Sequence, residues 1–157
     1  MQITVGIAAV TASLAVFSAP TQTTTPLAYS HDVTQICAGS VLFDGTYAIG
    51  TTAGAVDVSH AILATGMGRM QRVDAVLKPA ATAQTVARWI ATERSLVRLY
   101  SRNYLRIWYA IDAANTPRQK AALPAKVHAL LHQADRLQPR AATLEHTLQV
   151  PDCTGGS

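Results

Sequence analysis

The sequence predicts an all-α protein, an antiparallel four-helix bundle closed by one disulfide. Three observations carry that prediction. Apolar residues recur at three- and four-residue spacing through most of the chain, and short turn signals separate the segments that show it. The two cysteines, Cys37 and Cys153, stand near the two ends of the helical region. An even number of up-and-down helices returns the chain to the end from which it started. A cysteine just past the last helix therefore meets one near the start of the first.

Taken in order, residues 1–19 form an uncharged, largely apolar run closed by small residues, the pattern of a secretory signal peptide. An uncleaved anchor is the alternative, but a spanning helix needs about 20 predominantly apolar residues. This run is shorter and carries Thr4, Thr11 and Ser13. Residues 20–31 are rich in Thr and Pro without periodicity and read as a flexible lead-in to a domain over 32–153. Asp32 can cap the first helix, in which Val33, Ile36, Ser40, Phe43 and Tyr47 repeat at helical spacing. The same stretch holds a hairpin signal at 41–49, where Asp44-Gly45 separates two apolar runs, so both readings stand there. A second helix is expected from Val56 to Lys78, with Ile62, Gly66, Met70, Val73 and Leu77 inward and Pro79 as its stop. Gly66 and Gly68 inside it admit a close helix approach or a kink beside a ligand.

The third helix has the clearest pattern. From Thr82 to Ala114, the positions Val86, Ile90, Glu93, Val97, Tyr100, Tyr104, Ile107, Ile111 and Ala114 alternate spacings of four and three. Thr116 and Pro117 then read as a cap and first helical residue, and Pro124 as a possible restart. Val127, Leu130, Ala134, Leu137, Ala141, Leu144 and Leu148 continue the spacing, with a bend expected at Pro139. Residues 154–157 read as a disordered tail.

Composition narrows the function classes. Hydrophobic residues at 49% and charged residues at 14% suit a packed domain rather than a disordered chain. A net charge of +4 lacks the dense basic clusters of a nucleic-acid binder, so no nucleic acid is expected. Phosphate-cradling loops, H-E-x-x-H, C-x-x-C and G-x-S-x-G are all absent, which removes the matching enzyme classes as first expectations. Export places the chain in the cell envelope or outside the cell, where an even pair of cysteines oxidises; in a reducing compartment they would remain two thiols.

Three groups of residues are candidates for chemistry. Glu93 stands on the third helix's apolar seam, where Val or Leu belongs. Such a carboxyl is either a general acid/base or ligand contact, or one half of an ion pair with Arg69 or Arg72. Arg94, Arg98, Arg102 and Arg106 recur every fourth residue, drifting about 40° around the helix per step. With Leu99 and Tyr109 nearby, they suit an acidic partner, phospholipid headgroups or a polyanion, or form a solvated face. His128 and His132 lie one turn apart with Asp135 following, and His60 could join them only if the helices bring it near. Two helix-borne histidines make an incomplete metal site, so no metal and no cofactor is expected.

The Ala/Arg-rich, Lys-poor helices, the segment "CAGSVLFDG" after the Thr/Pro lead-in and the closing "VPDCTGG" resemble small exported proteins of actinobacteria, the mycobacterial type in particular. The resemblance implies an exported helical domain and supplies no functional residues. The expectation is a binding or interaction module with an unknown protein or anionic small-molecule or envelope partner. Contact with a membrane is expected only through the signal segment, if it is uncleaved. The alternative is a small exported enzyme with a bundle-core site around Glu93, acting on an anionic small molecule.

Overall fold

The computed structural model describes residues 23–38 and 52–154. Within them the protein is all-helical, without a strand. The elements are α1 (Pro26–Cys37), α2 (Thr52–Ala75), α3 (Ala83–Asp112), α4 (Pro117–Leu131), a 3-10 turn (Ala134–Arg136) and α5 (Gln138–Leu148). The signal-peptide reading of 1–19, the helix-or-hairpin choice at 41–49 and the last three residues of the tail lie outside the described residues.

Local chemistry sets the helix ends, and it corrects the sequence reading in three places. First, α1 starts at Pro26, inside the stretch read as a flexible lead-in. The Thr25 side chain accepts the Ala28 N–H at 3.2 Å, and Pro26 brings a φ already suited to a first turn. Asp32 is consequently a mid-helix surface residue, not a cap. Second, Pro139 starts α5 rather than bending a longer helix. The chain leaves α4 at His132 and crosses the 3-10 turn, where Leu137 N–H reaches Ala134 C=O at 2.8 Å. Third, Pro124 lies inside α4 without restarting it. The carbonyl its missing N–H leaves unpaired, that of Lys120, belongs to an exposed turn where water can serve it. Thr116 does cap α4: its hydroxyl accepts Gln119 N–H at 3.3 Å while the Gln119 side chain accepts Thr116 N–H at 2.9 Å.

The third helix is the axis of the molecule. The predicted seam is buried at Val86, Ile90, Glu93 and Val97, yet Trp89, Leu96, Leu99 and Asn103 are buried too. A second apolar stripe thus runs beside the first, because α3 is covered from two sides. On one side Ser59 of α2 meets Ser101, with its hydroxyl 2.9 Å from the Ser101 carbonyl, and Arg94 reaches Asp74 at 3.0 Å. On the other, Asn103 Nδ2 donates to Leu130 C=O at 2.7 Å and Gln138 Nε2 to the Tyr100 hydroxyl at 2.7 Å. Away from this cover the pattern loses its hold: Ile111 is 42% exposed, and Leu77, past the end of α2, is 49% exposed.

Gly66 explains the tight fit of α2 on α3. A Cβ placed there would lie 2.5 Å from Val97 Cγ1, so the helices approach as closely as a glycine allows. Gly68 faces open space, where a Cβ would meet nothing within 4 Å. The close-approach reading of the glycine pair therefore belongs to Gly66 alone.

The segment after α5 is tied to the end of α1. Cys37 and Cys153 form a disulfide across 116 residues of sequence, in a core with Tyr29, Val33, Met70, Trp89 and Leu148. After α5, Gln149 adopts a left-handed φ of 54°, and Val150 N–H returns to Glu145 C=O at 3.0 Å. This C-terminal reversal satisfies carbonyls of the last helical turn and folds the tail back along the helix. Thr154, read as the start of a disordered tail, is instead buried, with its N–H bonded to Asp152 Oδ1 at 2.7 Å.

Candidate functional site

Glu93 is completely buried, on the stretch of α3 that has cover on both sides. The helix spacing that puts Val86, Ile90 and Val97 in the core puts its carboxyl there as well. Three other segments bring charge to it. Arg69 of α2 is 1% exposed and its Nη1 donates to the Cys153 carbonyl, which anchors the guanidinium at the latch. Glu145 comes from α5, and Asp152 from the tail that the Gln149 reversal folds back. One carboxylate oxygen from each of Glu93, Glu145 and Asp152 lies within 4.8 Å of the other two.

The electrostatics follow from that crowding. Burial, then the negative charges of Glu145 and Asp152, push the Glu93 carboxyl up to about 8, with Arg69 only partly opposing the rise. Glu145 is also held above the ordinary carboxyl range, by burial and by Asp152. The Trp89 indole N–H, which lacks a partner in good hydrogen-bond geometry, lies close enough to counter part of that rise. Neither Glu93 oxygen accepts a hydrogen bond. Two facing carboxylates are both acceptors, so they can bond to each other only when one carries a proton. Burial and the neighbouring charges therefore favour the protonated form of Glu93. Arg69 itself is pushed below its usual value by burial and by Arg72, against the pull of Asp152 and Glu93.

The cluster is reached from outside. A cavity of about 260 Å³, half open to solvent, is lined by Leu96, Gln138, Ala141, Glu145, Asp152 and Thr154. Glu93 does not line the cavity; its carboxyl lies behind, within 4.8 Å of carboxylate oxygens of the lining residues Glu145 and Asp152. Such a site can hold a proton near neutral pH, donate it to a group in the cleft, or coordinate a cation through carboxylate oxygens.

The other sequence candidates are placed differently. Arg94 does not join the remaining arginines: it pairs with Asp74, which Lys78 also holds at 2.9 Å, and both cations keep the Asp74 carboxyl below its usual value. Arg98, Arg102 and Arg106 are exposed. His128 and His132 do come together, ring nitrogen to ring nitrogen at 2.7 Å, but on the exposed surface, and the other nitrogen of His132 is taken by Asp135. His60 lies on α2 and belongs to no cluster of potential metal ligands among the described residues. Sequence reasoning found Glu93 and named Arg69, but missed Glu145 and Asp152. A Glu on α5 followed seven residues later by an Asp next to the latch cysteine was the available signal, and nothing in the spacing gave the turn at Gln149.

No protein-family model, curated protein or solved structure matches the chain. No helix among the described residues is long and apolar enough to cross a membrane.

Proposed function

We propose that the protein is an exported binding module that engages an anionic protein or envelope component through Arg98, Arg102 and Arg106. One observation carries this reading. The three arginines are exposed along α3, and none forms an ion pair among the described residues, whereas Arg94, one turn earlier, is neutralised by Asp74. Tyr109, 51% exposed, lies three residues beyond Arg106 and seven beyond Arg102, hence on the same face. Exposed arginine beside exposed tyrosine is the composition of a recognition surface. The disulfide supports an oxidising compartment, in keeping with the resemblance to exported actinobacterial proteins. The scaffold is read as an antiparallel bundle, since Ser59 pairs with Ser101 and Asp74 with Arg94, so residue numbers run in opposite senses across α2 and α3.

The test is retention of a cell-envelope extract by the immobilised, oxidised protein, compared with the double variant Arg98→Glu, Arg102→Glu. Binding should fall at least tenfold while the thermal midpoint stays within a degree or two, because both side chains lie on the surface. Equal retention by both proteins would refute the arginine surface.

A second reading, a small helical enzyme, is favoured by one specific feature: a buried carboxyl that keeps its proton at neutral pH beside an open cleft. Glu93, or Glu145 sharing its proton, is the general acid in that reading. Three carboxyl groups against a single guanidinium suit a cationic or neutral substrate better than an anionic one.

A further inference from the structure

The α3–α5 cleft ends on an arrangement that the arginine surface does not use. Acidic residues clustered on a surface are common, but this cluster has a member shut off from water. Glu93 is 0% exposed, and neither of its oxygens has a hydrogen-bond donor. An apolar side chain would continue the seam at this position, and burying an undonated carboxyl is strongly unfavourable unless something pairs with it. Among the described residues, Arg69 is the cation whose attraction reaches Glu93, and it is shared with Asp152 and tied to the Cys153 carbonyl. With all three carboxyl groups ionised, the four side chains keep two negative charges.

A divalent cation brings that group to neutrality, and the chemistry of the ligands selects among cations. Oxygens on opposite sides of a Ca2+ ion, at about 2.3–2.6 Å from it, stand about 4.6–5.2 Å apart, and adjacent ones closer. Three carboxylate oxygens within 4.8 Å of one another lie close enough for one such ion to draw on all three. Mg2+ demands near-ideal octahedral geometry at about 2.0–2.1 Å, whereas Ca2+ accepts irregular oxygen sets such as one drawn from α3, α5 and the tail. The ligand set is all oxygen, without thiolate or imidazole, which suits hard ions over zinc or copper. The half-open cavity leaves room for the waters that complete a Ca2+ shell. Asp152 is preset for the task, because Thr154 N–H and its hydroxyl hold Oδ1 at 2.7 and 2.8 Å. We propose that Glu93, Glu145 and Asp152 form a binding site for a hard divalent cation, Ca2+ in the first place, entered through the α3–α5 cleft.

The experiment uses the full, oxidised chain at about pH 8.5 and two readouts, calorimetric titration with CaCl2 and luminescence of Tb3+ as a Ca2+ substitute. Trp89, beside Glu145, should sensitise Tb3+ when tryptophan is excited, and added Ca2+ should quench the emission by competition. Glu93→Gln should weaken Ca2+ binding at least tenfold, as should Asp152→Asn, a change at the cleft mouth that leaves the core untouched. Trp89→Phe should remove the sensitised emission while the Ca2+ heat persists. Absence of saturable heat, or affinities unchanged in both carboxyl variants, would overturn the site. Emission that survives Trp89→Phe would place the ion elsewhere and overturn it equally. Neither result touches the arginine surface, whose variants leave the cleft intact.

Discussion

Replacing Glu93 with Gln should make the protein more stable at alkaline pH and flatten its pH dependence. In the folded protein the Glu93 carboxyl titrates at about 8, whereas in the unfolded chain it returns to its ordinary value of 4.5. Between those values the folded state binds a proton that the unfolded state has released. Stability is therefore fully present below about 4.5 and is lost as pH rises towards 8. The slope is at most about 1.4 kcal/mol per pH unit, so the ceiling over the three units from about pH 5 to pH 8 is about 4 kcal/mol. Glu145 is itself shifted upward by burial and by Asp152, so some of this slope stays with Glu145 when Glu93 is removed. A difference of about 2 kcal/mol between wild type and variant is the expected share. Gln keeps the shape of the side chain and cannot ionise, so no cavity cost enters. The assay is urea unfolding followed by circular dichroism at about pH 5 and pH 8, with a chelator present to exclude bound cations. Groups common to both proteins cancel in the comparison. Parallel pH dependence in wild type and variant, or a wild type that gains stability from pH 5 to pH 8, would refute the reasoning. The second outcome would mean that Glu93 is ionised and held by Arg69 as an ordinary buried ion pair.

The two glycines of α2 should respond in opposite directions. Gly66→Ala forces a methyl to within 2.5 Å of Val97, a stiff β-branched side chain, and should cost about 1–3 kcal/mol. Gly68→Ala meets nothing and should gain up to about 1 kcal/mol of helix propensity, both read from thermal or urea unfolding. Removing the latch by the double variant Cys37→Ala, Cys153→Ala should lower stability by about 4–5 kcal/mol relative to the oxidised protein, and by far less relative to the reduced one. Limited proteolysis should then cut first after α5, where the tail carrying Asp152 depends on the bridge.

Much of the architecture was legible in the sequence because it depends on local rules. The three-four spacing identifies α2 and α3 and most of their inward residues, since side chains at those intervals share a helix face whatever packs against them. Thr116 and Pro117 mark the start of α4 because capping involves only groups within one turn. The pairing of Cys37 with Cys153 was legible because the chain has only two cysteines, but not for the reason of helix parity. Cys37 ends α1 instead of lying near the start of the first helix, and five α-helices stand among the described residues where four were expected. The anomaly at Glu93 was visible too, as a charge where an apolar residue belongs.

The fate of that charge was settled only by the tertiary structure. Periodicity names one face of α3, but coverage from two sides buries Trp89 and Leu96 beside it, and only contact with α2 and α5 fixes which neighbours Glu93 meets. Its companions come from α2 on one side of it in the sequence and from α5 and the tail behind it on the other. Arg69 is held by a carbonyl at the latch, Glu145 by the register of α5, and Asp152 by a left-handed turn at Gln149, a residue that does not announce such a turn. Pro139 and Pro124 make the same point for the backbone, one starting a helix and the other lying within one, because the solvent and turns around each decide which unpaired carbonyl is tolerable. Local interactions act over a few residues and can be read along the chain. Burial and long-range charge depend on which segments meet, and those meetings exist only in the folded molecule.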